Sequence, residues 1–275
     1  MLKRVITGAI LAILLVVLVI FSDTLAFPIA LGVCAFIGVH EMLGCIGMRK
    51  NIIISVCMYA MTVTTTVISI QLTSHSVFIA TFASILFCIL MLMFACSVFS
   101  HGAIPYEKVC ITFTSCTFVI IGFLSLVLLR DMEVGKYVFV LAFLGPWITD
   151  TFAYLTGFFL GRHKLIPDVS PKKTIEGSVG GTLFCIGFCA LYGYIFRNYV
   201  YAELPPVYVF AVLGLIIAFV SQVGDLIFSL IKRKYGIKDY GFIFPGHGGI
   251  LDRFDSIIAT APLLLIFFEA ITRIG

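Results

Sequence analysis

Charge is what this sequence lacks most. Only 12% of its 275 residues are Asp, Glu, Lys or Arg, while 61% are hydrophobic and the mean hydropathy is +1.16. Soluble globular chains hold about 45–50% apolar residues, so this balance excludes a soluble protein and requires an integral membrane protein. No long polar stretch interrupts the apolar ones, which leaves no material for a separate soluble domain. Internal repeats and low-complexity tracts are absent. Neither a Walker loop nor a dinucleotide-binding glycine fingerprint is present, so any nucleotide must bind to the membrane scaffold itself. The nine cysteines (34, 45, 57, 88, 96, 110, 116, 185 and 189) lie in or beside apolar segments, with no Cys-x-x-Cys pair. An odd count without paired spacing supplies neither a disulfide framework nor a zinc site. They read as small hydrophobes inside helices.

What is present is a series of apolar runs. A hydrocarbon core of roughly 30 Å needs about 20 residues of helix to cross it. On that ruler the sequence predicts nine spans, near 5–21, 25–46, 52–72, 77–99, 108–129, 137–160, 177–197, 206–230 and 250–272. The first follows Met1-Leu2-Lys3-Arg4 and lacks a small-x-small cleavage pattern, so a retained transmembrane helix is expected rather than a signal peptide. Turn-forming and charged residues mark the breaks, as at Ser22-Asp23, Arg49-Lys50-Asn51 and Pro205-Pro206. The expected fold class is all-α, a polytopic membrane protein of one domain over 1–275. Within it, 1–130 holds N-terminal helices and 137–272 a second group of helices, expected to carry the functional site, with cytosolic loops at 161–177 and 231–250.

Nine spans put the two termini on opposite faces. The N-terminal face then collects 14 of the 18 Lys and Arg, and the other face keeps Arg130, Lys136, Arg197 and Arg273. By the positive-inside rule the richer face is cytoplasmic. The expected location is the cell (inner) membrane, multi-pass, with the active site facing the cytoplasm. An even number of spans separates the N-terminus from each of the two longest polar segments, so both belong to that face.

The second of these segments carries the densest cluster of ionisable groups in the chain. Between Gln222 and Asp255 stand Lys232, Arg233, Lys234, Lys238 and Arg253, together with Asp225, Asp239, Asp252, Asp255 and His247. Carboxylates and cations beside a glycine-rich turn suit a phosphate ligand with a divalent metal. Aspartate oxygens hold Mg²⁺, cations neutralise phosphate oxygens, and glycine lets the backbone come close. Asp150, Asp225 and Asp252 stand inside or at the edge of apolar segments, where a carboxylate is costly and faces a polar cavity or a partner. Asp225, Ser229 and Lys232 share one helical face at i, i+4, i+7; Asp252, Asp255 and Ser256 share another. Asp225 and Asp252 are the first-choice metal ligands, followed by Asp255 and Asp150. His247, between glycines, could donate to a phosphate, assist a leaving group or order the loop. Glu41, beside His40 at the end of the second span, would line the cavity.

The first polar segment reads Gly161-Arg162-His163-Lys164, then Pro167-Asp168, then Ser170-Pro171-Lys172-Lys173-Thr174 and Glu176-Gly177. Lys172 and Lys173 come just before a predicted helix N-terminus, whose backbone N–H groups already favour anions. Triphosphate binding is a natural use for them. The spacings Gly157-x-x-x-Gly161 and Gly177-x-x-x-Gly181 predict close helix packing.

The run from Ser229 through Lys232-Arg233, Lys238-Asp239 and His247-Gly248-Gly249 to Asp252-Arg253 and Asp255 resembles the signature of the phosphatidate cytidylyltransferases, or CDP-diglyceride synthases. Every fixed position of that signature is met. The Ser170–Thr174 run followed by Glu176-Gly177 resembles the family's second common segment. The likeness covers about 150–255, and the first five spans add only hydrophobicity. It implies transfer of the cytidylyl group of CTP to phosphatidic acid, giving CDP-diacylglycerol and pyrophosphate in phospholipid biosynthesis. A lipid phosphate is already ionised at neutral pH, so no strong base is needed. The barrier is repulsion between anions and charge on the departing pyrophosphate, which metals and cations answer.

On this reading Asp225, Asp252, Lys232, Arg253 and His247 are the expected catalytic residues. Ser170, Lys172, Lys173, Thr174, Ser229, Arg233, Lys238, Gly248 and Gly249 would bind substrate. The expected cofactor is Mg²⁺, with one ion or two left open, as are acyl-chain preference and CTP against dCTP. The expected partners are CTP, phosphatidic acid and the bilayer, with no nucleic acid, and the resemblance implies a homodimer. Two alternatives stand beside this reading. A CTP-dependent polyprenol or phytol kinase would transfer a different phosphoryl group, and the complete signature argues against it. An ion-coupled transporter would also use buried acids but has no need of two dense cationic loops.

Overall fold

The computed structural model describes residues 13, 15–71, 75–101, 103–244, 246 and 248–274. Most of the first expected span, and His247, lie outside them. Among the described residues, eight helical stretches are long and apolar enough to cross a membrane. This is a multi-pass, helical membrane protein, and its span count is close to the nine expected. The elements run α1 (Ala26–Ile46), α2 (Ile52–Gln71), α3 (His75–Phe99), α4 (Tyr106–Asp131), α5 (Gly135–Val138), α6 (Leu141–Leu160), β1 (Lys164–Ile166), β2 (Ser170–Thr174), α7 (Ile175–Tyr199), α8 (Val207–Lys234) and α9 (Leu251–Ile274). The sixth expected span, 137–160, takes in the end of α5 and the whole of α6.

The chain divides into two compact units. One comprises residues 1–128 with 235–253, the other residues 129–234 with 254–275. In the first, α1 turns a stripe of Phe27, Leu31, Ala35, Val39, Met42 and Leu43 inward. Gly47, at φ 79°, ends the helix, and the N–H of Met48 returns to the Leu43 carbonyl at 2.9 Å. Only glycine adopts that left-handed cap without cost. Asn51 then starts α2 by accepting the N–H of Ile54 at 3.2 Å. The short break near 47–51 is therefore a helix stop followed directly by a helix start.

In the second unit, α6, α7 and α8 pack against one another. Lipid removes the hydrophobic drive between helices, so small residues that let backbones approach supply the contact. The Gly177/Gly181 pair is used in this way: a β-carbon on Gly181 would stand 2.5 Å from the Thr149 carbonyl oxygen, and one on Gly177 2.6 Å from that of Ala153. On α8, Phe210, Leu213, Ile217, Ala218 and Ser221 follow helical spacing as a buried stripe.

The polar segment ahead of α7, expected as a loop, is a two-stranded antiparallel hairpin. Lys164 pairs with Thr174 and Ile166 with Ser170. Pro167-Asp168 forms its turn, closed by the Val169 N–H to the Ile166 carbonyl at 3.3 Å. Proline at the first central position and aspartate after it suit such a turn.

Candidate functional site

The second unit contains a cavity of about 510 Å³, within the size range of small-ligand sites. Four elements form its wall. α6 contributes Asp150, Ala153, Tyr154, Gly157 and Phe158, which recur at three- and four-residue spacing and so share one face. The hairpin contributes Lys164, Leu165, Lys172, Lys173 and, at its end, Thr174, the first turn of α7 gives Gly177 and Ser178, and α8 gives Gln222 and Asp225.

Helical geometry places the α8 residues. Gln222 and Asp225 are one turn apart, in line with Ala218 and Ser221 of the buried stripe. The Gln222 amide donates to the Ala218 carbonyl at 3.0 Å and to Thr182 Oγ1 at 3.2 Å. This fixes the turn directly before Asp225. Asp225 Oδ2 in turn meets Lys173 Nζ at 2.5 Å, with both side chains about three-quarters buried. Asp150 interacts electrostatically with Asp225 and Lys173, and Asp255 with Asp225, Asp150 and Lys232. Three acids, Lys173 of the hairpin and Lys232 of α8 thus share one field. Among the described residues no group of three or more His, Cys, Asp or Glu is arranged to hold a metal ion.

The hairpin's lysines are positioned by α7. Thr174 is its N-cap: the Gly177 N–H donates to Thr174 Oγ1 at 3.1 Å. Thr174 is buried among Gly157, Gly161 and Gly177, where any β-carbon would press on its side chain. Lys173 is consequently largely buried and directed to Asp225, while Lys172 remains exposed at the cavity wall. Ser170 opens β2 outside the lining. Ser229, Lys232 and Arg233 follow Asp225 on α8 and also stand outside it; Lys232 and Arg233 lie in the last turn, where cations complement the helix dipole. Gln222, Lys164 and Tyr154 join the lining without having been singled out in the sequence. Only their spacing from Asp225, Lys172 and Asp150 carried a signal.

The glycine-rich segment belongs to the first unit, and there acids act on backbone. Asp252, 8% exposed, accepts the N–H of Tyr240 at 2.7 Å and of Gly249 at 2.9 Å through Oδ2. Glu41, 6% exposed, accepts the N–H of Ile250 at 3.0 Å and of Leu251 at 2.9 Å. The first N–H groups of a helix have no partner inside it; here the two carboxylates supply partners for the start of α9 and the turn before it. Gly248, at φ 84°, leaves no room for a β-carbon, which would stand 2.6 Å from Asp252 Oδ2. Gly249 likewise makes room for the Glu41 carboxylate. Glu41, expected to line the cavity, is a helix cap instead. Lys238 and Arg253 are exposed. Pro245 and His247 lie outside the described residues.

The model of the Cytidylyltransferase family matches residues 2–271. Proteins named phosphatidate cytidylyltransferase from Staphylococcus saprophyticus and from Staphylococcus aureus strain COL are each 41% identical over 170 residues. One from Staphylococcus haemolyticus is 38% identical over the same length. Each match covers 62% of this chain and 63% of the relative, so it spans just under two thirds of the relative's length. With its family model matched almost from end to end, this chain belongs to the cytidylyltransferase family.

Proposed function

We propose that this chain transfers the cytidylyl group of CTP to phosphatidic acid, forming CDP-diacylglycerol and releasing pyrophosphate. The observation that carries the reading is the cavity's chemistry. Three lysines of a polar hairpin face two aspartates on membrane-spanning helices, in a member of the cytidylyltransferase family. The relatives' name supports the choice of substrates.

In the proposed reaction a phosphate oxygen of phosphatidate forms a bond to the α-phosphorus of CTP. The bond from that phosphorus to the β-phosphate oxygen breaks, and the electron pair leaves with pyrophosphate. Lys164, Lys172 and Lys173 hold the triphosphate, neutralising charge that grows on the leaving group. Gln222 fixes the turn that presents Asp225. A divalent cation fits the donors present, because Mg²⁺ takes only one or two protein carboxylates and fills its other positions with water and phosphate oxygens. Asp225 with Asp150 would hold it, with Asp255 adding to the negative field. When bound, such an ion supplies charge neutralisation at the phosphates. Asp252 is a weaker candidate than the sequence suggests, since Oδ2 already accepts two N–H groups. The predominance of Lys and Arg on one face of the predicted topology supports a cytoplasmic site.

The test is turnover by purified protein in detergent, given phosphatidate, radiolabelled CTP and Mg²⁺. Label in a lipid-soluble CDP-diacylglycerol, with stoichiometric pyrophosphate, is the expected result. Release of CDP with a phosphorylated polyprenol would favour the kinase reading, and no nucleotide consumption with either lipid would overturn both.

A further inference from the structure

We infer that Glu176 is a positioning residue for nucleotide binding, acting through the lysines of the hairpin; the inference rests on the proposed reading of the cavity. Glu176 is in the first turn of α7, one residue before Gly177 of the cavity wall. Its carboxylate reaches back across the start of the hairpin. Oε2 accepts the backbone N–H of Arg162 at 3.1 Å, and both oxygens lie 3.2 Å from the backbone nitrogen of His163. His163 Nδ1 meets Oε1 at 2.6 Å. The His163 carbonyl accepts the Ile175 N–H at 3.0 Å, closing the same junction from the other side.

The next residue along the chain is Lys164, which lines the cavity, and its β-partner is Thr174, the cap of α7. The hairpin is only two strands with one irregular register, and its own ladder holds it weakly. Charge-assisted bonds from a helix terminus are stronger than neutral ones. Glu176 therefore fastens the strand bearing Lys164 to the helix that follows Lys172 and Lys173. An anion then meets lysines whose backbone is already fixed, which avoids an ordering cost on binding. An acid in the first turn of a helix also complements the dipole, but that role alone would be satisfied without contact to Arg162 and His163.

The experiment is a double-mutant cycle read by CTP affinity. Glu176→Gln keeps the shape but presents an amide where an acceptor is needed. Equilibrium binding of radiolabelled CTP with Mg²⁺, and KM for CTP, should both weaken by about 10-fold, with kcat within about two-fold. In a Lys164→Gln/Lys172→Gln background the same substitution should add less than about two-fold, because the two exposed lysines it positions are gone and Lys173 is held by Asp225 instead. His163→Ala removes one of these bonds at an exposed side chain and should shift CTP affinity in the same direction by less. It also serves as the variant that folds if Glu176→Gln does not. Unchanged CTP affinity in Glu176→Gln, or a full additive loss in the lysine-depleted background, would overturn the inference. Failure of the unaltered protein to bind CTP would instead sink the reading of the cavity.

Discussion

The Glu41 carboxylate accepts the backbone N–H of Leu251, 210 positions further along the chain, at 2.9 Å. With the neighbouring bond to Ile250 it caps α9 from another helix. A buried carboxylate without partners would be costly, and so would two orphaned N–H groups at a helix start. Each makes the other tolerable.

Glu41→Ala should therefore destabilise the protein by about 2–4 kcal/mol, the sum of two lost charge-assisted bonds partly offset by removing a buried charge. Thermal melting in detergent checks this, with Glu107→Ala, an exposed acid elsewhere, as the reference. A melting curve as steep and as high as that of the unaltered protein would mean that the bonds contribute little.

Gly248→Ala should be worse than a typical surface substitution, by about 1–3 kcal/mol. It places a β-carbon against Asp252 Oδ2 while the backbone stays left-handed at φ 84°. Gly187→Ala on α7, where a β-carbon meets nothing within 4 Å, should be neutral or slightly stabilising. The comparison of the two melting temperatures is the check.

Asp225→Asn should reduce kcat by at least about 100-fold while the protein still inserts and purifies. The substitution removes both the proposed cation ligand and the partner of Lys173. Asp252→Asn should instead act mainly on the order of the glycine-rich segment, read as faster amide exchange at Tyr240 and Gly249. Equal kcat losses with unchanged exchange in Asp252→Asn would restore Asp252 as a direct participant.

Lys172→Gln should raise KM for CTP by about 10- to 100-fold with little change in kcat, as expected for binding that is uniform along the reaction. Lys173→Gln should lower kcat as well, because it leaves Asp225 without its ion-pair partner. KM for phosphatidate should move much less in both. A rise confined to the lipid's KM would make the hairpin the clamp for the lipid phosphate.

Impermeant thiol reagents applied from outside should fail to label cysteine placed at Asp168 or Asp239 in a cysteine-free background. Both positions are exposed, whereas Tyr240 is buried and would resist labelling from either side. Ready labelling of intact cells at either position would reverse the assignment of the cytoplasmic face.

The sequence by itself determined the class of molecule, because hydropathy acts residue by residue and needs no partner. Long apolar runs must become helices in lipid, where every backbone group is satisfied within its own segment, and the breaks near 47–51 and 200–206 follow from glycine, asparagine and proline. It also showed that Asp150, Asp225, Lys172 and Lys173 were worth attention, since carboxylates in apolar helices and lysines before a helix start are costly or anion-seeking wherever they occur. Tertiary structure alone decided what each acid touches. Asp225 and Asp252 look alike in the sequence, each at an apolar edge near cations, yet one meets Lys173 at a cavity and the other accepts the backbone of a turn. Glu41 and Glu176 show the same limit: one is 209 residues from the N–H group it holds, the other is 13 residues from His163 across a hairpin. Hydrogen bonds across such separations depend on where folded segments return in space, and neither helical period nor local propensity encodes that return.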